Sequence, residues 1–237
     1  MEWYEKLGFD ENPFSTDSRL NHDKLVNMDG AIEEIFYRIN SGSMLAVEGK
    51  EGNGKTTLLM IAAEKFGGKK NVVYLDCKIL DKKLNITKVL QERYGFFGRL
   101  LDKKPKNMVV LMDNVDRLSE KNTERLKYYF DQNYIKSIIF ATSSYKRAKF
   151  SDSLRDRIGR RLVILPKLTD EDAVDIIRNR IGESELFNDS LIKKIFNISK
   201  NSVKELLKNC EAVAMSAAKK KRKRAQAVDL KVLENVV

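Results

Sequence analysis

The segment GKEGNGKT, residues 49–56, decides how this chain is read. It fits the pattern GxxxxGK[ST] at every required position, follows the apolar run MLAVEG (44–49) and opens the helical pattern TTLLMIAAEKF (56–66). Strand, glycine-rich turn and helix in that order make a phosphate cradle. The glycines let the loop close with its amides pointing inward, and the helix N-terminus adds partial positive charge. In this arrangement Gly49, Gly52, Asn53 and Gly54 shape the loop, Lys55 reaches the outer phosphates, Thr56 ligates magnesium and Thr57 completes the binding segment. The expected ligands are a nucleoside triphosphate, taken as ATP, and Mg2+.

Outward from this segment, apolar runs and helical patterns alternate. MLAVEG, VVYLDC (72–77), MVVLMD (108–113), SIIFAT (137–142) and RLVIL (161–165) read as five strands of near-continuous hydrophobicity, the pattern of a parallel sheet covered on both faces. Helical patterns fall among them at 29–39, 56–66, 84–101 and from Ser119 through Phe130. After Pro166 the strands stop, and residues 169–182, 188–199, 202–224 and 228–237 all read as helix. The predicted fold is an α/β P-loop three-layer sandwich with a five-stranded parallel sheet over residues 1–166, followed by a small all-α lid domain over 167–237.

A phosphate cradle needs a second acid to hold the magnesium water shell, normally at the end of a neighbouring strand. Asp113 fits: the apolar residues Val109 to Met112 run straight into it, which would present its carboxylate at the carboxyl edge of the sheet. Thr56 and Asp113 are therefore the expected metal-holding pair.

GKEGNGKT, VVLMDNVD (109–116), IIFATSSY (138–145), SLRDRI (153–158) and NSVKELL (201–207) occur in that order. This ordered set resembles the AAA+ ATPases. The nearest group is the clade of origin-recognition proteins, helicase loaders and clamp loaders, with ExeA-like and transposition-regulator ATPases as near relatives, and the likeness covers residues 10–236. It implies a polar sensor after the fourth strand that orients the attacking water: Ser144 first, with Ser143 and Thr142 behind it. It implies an arginine finger at Arg157, with Arg155, Arg160 and Arg161 competing for the role, and a lid cation on the nucleotide at Lys204. Ser202 and Glu205 form a capping-box pattern that puts Lys204 in a first helical turn, where the dipole disfavours a cation unless a phosphate lies near. GFDENPFS (8–15) resembles the segment that flanks adenine in relatives; core packing by Phe9 and Phe14 explains it equally.

In the family a glutamate usually follows the magnesium aspartate and polarises the water. Here Asn114 stands there, and an amide holds a water without accepting its proton, so hydrolysis should lose about 100- to 10,000-fold of general-base assistance. Asp116 either acts through a water or holds the loop. The resemblance thus implies a slow, Mg2+-dependent ATPase. Its ATP-bound form would self-associate head to tail through ATP at the subunit interface and act on DNA, in replication initiation or loading or in regulating recombination or transposition. The alternative is a non-catalytic ATP-binding scaffold in a complex with other proteins. Origin-recognition relatives usually carry a winged-helix domain after the lid, whereas this sequence ends at Val237. DNA contact is therefore expected from the core, from a basic run or from a partner protein that supplies specificity.

Composition bounds the rest. The 237 residues, 42% hydrophobic, suffice for a sizeable core, and the net charge is +11. Six of those charges lie in the run Lys219 to Arg224, so the remainder carries only +5. The run either contacts DNA phosphates or is a solvated helix end, and it holds no aromatic residue to stack on bases. Nothing resembles a signal sequence or a membrane span, so a soluble, cytoplasmic protein is expected. Cys77 and Cys210 lack metal-site spacing and read as reduced, buried thiols, and a lone His22 excludes triad chemistry.

Overall fold

The computed structural model describes residues 2–18, 25–67, 72–79 and 106–234. His22 and the helical pattern at 84–101 lie outside the described residues. Contacts divide the chain into two compact units, 28–50 with 55–165, and 1–27 with 51–54 and 166–237.

The first unit is built on a parallel sheet of β1 (Met44–Glu48), β2 (Val72–Asp76), β3 (Met108–Asp113), β4 (Ile135–Thr142) and β5 (Leu162–Ile164), in the order β2-β3-β4-β1-β5. Every pairing is parallel, as the uninterrupted apolar runs predict. β3 is buried from end to end, while β5 lies at an edge and leaves Ile164 exposed. Alternate side chains go to opposite faces. Met44, Ala46, Val110, Met112, Ile138 and Phe140 join one apolar cluster with Leu126 of α3 (Glu120–Asp131) and Leu154 and Ile158 of α4 (Asp152–Ile158). Among the described residues this unit also holds α1 (Asp29–Ser41) and α2 (Lys55–Gly67), which pack on each other and on the sheet.

Helix starts follow local chemistry. Ser119 and Ser151 accept hydrogen bonds from the amides of Asn122 and Leu154, capping α3 and α4. One register consequence governs the site: the parallel ladder ends its strands on polar residues at a common edge. Asp76 is paired with Asp113 across β2 and β3, and Glu48 with Thr142 across β1 and β4.

The second unit is helical: α5 (Asp170–Ile181), α6 (Asp189–Ile198), α7 (Val203–Lys219) and the short α8 (Lys231–Glu234). Thr169 and Asp172 form a full capping box on α5, and Asn188 caps α6. Ile176, Ile177, Ile195, Phe196, Leu206 and Val213 are buried at helical spacing. The N-terminal segment packs within this unit. Phe14 is fully buried, stacked on Trp3 and edge-on to Phe187, and Arg180 donates to the carbonyls of Pro13 and Ser15. Core packing therefore accounts for Phe14, and Phe9 is half-buried.

The helix expected through Arg224 ends at Lys219. Lys221 turns into the left-handed region (φ 54°), and Lys220 and Arg222 fold onto the buried carboxylate of Asp229, which also accepts from the Ser216 hydroxyl. A tertiary ion cluster thus overrides the local helical pattern. Both cysteines are free and buried, as expected.

Candidate functional site

The phosphate-loop geometry has identifiable causes. Gly52 and Gly54 sit at φ 82° and 80°, where only glycine is unstrained. Gly49 is required for a different reason: a Cβ there would lie 2.9 Å from Leu165 Cδ1, where the chain leaving β5 passes the end of β1. Lys55 starts α2 and curls back, donating from Nζ to the carbonyls of Gly49 (2.6 Å) and Lys50 (2.8 Å). Asn53 is buried, and its Oδ1 meets no donor among the described residues. Thr57 follows Thr56 on the first turn of α2.

The loop tip belongs by its contacts to the helical unit. There the Lys204 amide donates to the Gly52 carbonyl at 3.3 Å. The capping box expected of Ser202 and Glu205 does not form: Ser202 is the N-cap of α7, but its side chain makes no capping bond. The Gly52 carbonyl takes a first-turn amide of α7 instead, Ser202 Oγ lies against Gly52, and Glu205 pairs with Lys208. The Lys204 side chain is exposed and makes no ion pair among the described residues.

Asp113, 1% exposed at the end of β3, accepts three hydrogen bonds. Thr56 Oγ1 (2.5 Å) and Tyr74 Oη (3.0 Å) donate to its Oδ2, and the Asn114 amide (2.8 Å) donates to its Oδ1. All three donors are neutral, and no cation pairs with this carboxylate among the described residues. A buried carboxylate in that state, touching a threonine hydroxyl, has the donor chemistry of a hard divalent ion that keeps part of its water shell. The residues present therefore fit magnesium. Burial, reinforced by the Asp113 charge, raises the Tyr74 phenol well above its usual range, so it remains a donor. Burial likewise pushes the Cys77 thiol up to about 12, leaving it unreactive.

Asn114 lies in the left-handed region (φ 54°, ψ 42°), a conformation asparagine tolerates better than glutamate does. Its Nδ2 donates to Asp76 Oδ1 at 2.9 Å. Asp116, on the 3-10 turn Val115–Arg117, is engaged through both oxygens: Thr142 Oγ1 donates at 2.7 Å and the Ser143 amide at 3.0 Å. Burial pushes this carboxyl up, but those hydrogen bonds outweigh it and hold it below the usual range. Asp116 thus ties the end of β3 to the end of β4, the loop-holding role of the two considered. Thr142 is spent on that tie, whereas the Ser144 hydroxyl makes no hydrogen bond among the described residues.

The four arginines separate by their contacts. Arg155 donates to the carbonyls of Tyr145 (3.1 Å) and Ala148 (2.6 Å) and lies over the rings of Tyr145 and Phe150. Arg161 donates to the Met44 carbonyl at 3.0 Å. Arg157 pairs with Asp131 over the Phe130 ring with its side chain half exposed, and Arg160 is exposed with no pair among the described residues. In the basic run, Lys220 and Arg222 bind Asp229 and Arg224 binds Glu185, while Lys219, Lys221 and Lys223 are exposed without ion pairs among the described residues.

Asp76 and Tyr74 join the site although the sequence motifs did not mark them. The signal was present in VVYLDC, a second apolar run ending in aspartate like MVVLMD, but its meaning depends on the register that pairs Asp76 with Asp113.

A phosphate loop between β1 and α2, with an acid ending β3 one strand beyond its neighbour β4, defines a P-loop nucleotide-binding α/β fold. The chain belongs to the AAA domain family, whose profile matches residues 41–171, just over half of it. It is 25% identical over 181 residues to an ORC1-type DNA replication protein 2 of Saccharolobus solfataricus, a match covering 62% of this chain and 43% of the relative. The chain therefore spans less than half the length of that curated relative. Among solved structures, Cdc6p from Pyrobaculum aerophilum superposes with a TM-score of 0.77 at 14% identity, covering 97% of this chain and 72% of that one. The Aeropyrum pernix Orc1 protein, solved in complex with DNA, gives 0.75 at 13% identity over 94% and 68%. The Thermotoga maritima RuvB Holliday junction branch migration motor gives 0.66 at 17% identity over 87% and 69%. The predicted AAA+ resemblance and fold class stand. Among the described residues, no helix is long and apolar enough to cross a membrane.

Proposed function

We propose that this protein is a slow, Mg2+-dependent ATPase whose ATP-bound form assembles head to tail and acts on DNA. The observation that carries the reading is the meeting of Thr56 Oγ1 with the buried Asp113 carboxylate at the foot of a complete phosphate loop. Thr56 and Asp113 would hold magnesium, which when bound neutralises charge on the β- and γ-phosphates. Gly52, Gly54 and the first turn of α2 offer amides to the phosphates. Lys55 exchanges its two carbonyl contacts for phosphate oxygens, a charge-assisted and stronger pairing.

Ser144, whose hydroxyl makes no hydrogen bond among the described residues, helps to orient the attacking water. Lys204 adds a cation, supported by its place in the first turn of α7 and by its amide bond to Gly52. Arg157 serves as the finger toward a neighbouring copy, giving up a half-exposed pair with Asp131 of the kind that contributes about 0–1 kcal/mol. Arg160, unpaired among the described residues, is the second candidate. Action on DNA draws on the relatives named ORC1-type DNA replication protein and Orc1 in complex with DNA. In the basic run Lys219, Lys221 and Lys223, which have no ion pair among the described residues, are the cations offered to phosphate, since the other three are paired internally. The domain division at 166–167 and a cytoplasmic setting belong to the same reading.

The test is sedimentation and DNA binding with ATP, ADP or neither, at ~50 and ~200 mM salt. ATP should raise both the assembled mass and a salt-sensitive DNA affinity, and Arg157→Ala should weaken assembly. Tight ATP binding without DNA binding at ~100 mM salt would favour the scaffold reading, which Asn114 in place of an acid also supports.

A further inference from the structure

The acid missing at position 114 has a counterpart one strand away. Asp76 ends β2 in register with Asp113, on strands about 4.8 Å apart. Its Oδ1 accepts from Asn114 Nδ2 and from the Lys78 amide, both at 2.9 Å, while its Oδ2 makes no hydrogen bond among the described residues. A carboxylate accepts and does not donate, so the Asn114 amide must turn its NH2 toward Asp76, which leaves its Oδ1 directed elsewhere. That oxygen likewise meets no donor among the described residues. One amide oxygen and one carboxylate oxygen thus have no partner among the described residues, at the sheet edge beside the acid that would hold magnesium. A water has two hydrogens to give and fits such a pair.

We propose that Asp76 is the catalytic carboxylate of this site, working with Asn114 as a divided substitute for a single acid. Asn114 orients the attacking water through its Oδ1, and Asp76 takes the proton. The water oxygen forms a bond to the γ-phosphorus while the bond from that phosphorus to the β–γ bridging oxygen breaks, its electron pair leaving with ADP. The proton taken up by Asp76 then passes to inorganic phosphate. The division has a backbone cause: the left-handed conformation at 114 suits asparagine, and the next strand supplies the charge. This assignment rests on the hydrolase reading above.

The test compares wild type, Asp76→Asn and the exchanged pair Asp76→Asn with Asn114→Asp. The exchange keeps a carboxylate and an amide in contact, and aspartate also tolerates the left-handed region. The readouts are ATP turnover, affinity for a fluorescent ATP analogue and melting temperature. Asp76→Asn should lower turnover by about 100-fold or more with affinity unchanged within about twofold, and the exchanged pair should recover at least about tenfold of the loss. Melting temperature separates the two roles: a structural role would lower it in Asp76→Asn together with turnover, whereas the catalytic role lowers turnover alone. If wild type hydrolyses ATP and Asp76→Asn keeps pace, or the exchanged pair stays as slow as Asp76→Asn, the Asp76 assignment falls and the ATPase reading survives. Loss of analogue binding in Asp76→Asn would overturn the assignment in favour of a binding role. A wild type that binds ATP without hydrolysing it would contradict the hydrolase reading itself, and Asp76's role with it.

Discussion

Replacing Asn114 by alanine and by glycine separates two things this residue does. Its backbone is left-handed (φ 54°, ψ 42°), which costs an ordinary L-residue about 1–2 kcal/mol, and its side chain donates at 2.9 Å to the Asp76 carboxylate. A hydrogen bond to a charged group contributes about 1.5–3 kcal/mol. Asn114→Ala loses both contributions, about 3 kcal/mol, which lowers the melting temperature of a domain this size by about 6–12 °C. Asn114→Gly loses the hydrogen bond but keeps the backbone unstrained. At an ordinary site glycine is the less stable of the two by about 0.5–1 kcal/mol, through its greater unfolded-state freedom. Here the order should reverse, with glycine melting about 2–4 °C above alanine. Thermal and urea unfolding of both variants decide it. An alanine variant as stable as the glycine variant, or more so, would refute the view that the left-handed backbone favours asparagine over glutamate at this position.

Gly52→Ala should lower the melting temperature by about 2–8 °C and weaken ATP binding in a titration, because φ 82° strains alanine and the new Cβ would lie 2.3 Å from Ser202 Oγ and 3.1 Å from Lys204 Cβ. Asp229→Asn should destabilise the protein by about 2 kcal/mol at neutral pH, read by urea unfolding, since Lys220, Arg222 and Ser216 converge on that buried carboxylate. The same comparison across pH has a defined sign. Burial pushes Asp229 up, but the bonds from Lys220, the Gln226 amide and Ser216, with the charge of Arg222, leave it below the usual carboxylate range. Its contribution is therefore full above the unfolded value of about 3.9 and is lost as pH falls through the lower folded value. The gap between wild type and Asp229→Asn should be constant from about pH 5 to 8 and should shrink below about pH 4.

The sheet was legible because buried parallel strands carry their signal locally: each apolar run from MLAVEG to RLVIL lies on or around one of the observed strands. Asp113 was legible for the same reason, as the polar end of a fully buried strand. What escaped depends on contacts between distant segments. Ser202 and Glu205 satisfy a local capping rule, yet the Gly52 carbonyl claims a first-turn amide of α7. The basic run continues a helical pattern, yet Asp229 draws Lys220 and Arg222 out of it. Asp76 ends an apolar run as Asp113 does, but its bond to Asn114 exists only once β2 is laid beside β3.

A single-turnover measurement decides whether this protein is a slow ATPase: limiting radiolabelled ATP is mixed with excess protein and Mg2+ and followed for retention on the protein and for conversion to ADP, beside the Lys55→Ala variant. Wild type should retain ATP and convert it slowly, and Lys55→Ala should do neither. A wild type that retains no ATP, or a Lys55→Ala variant that retains and converts it equally well, would contradict the slow-ATPase reading.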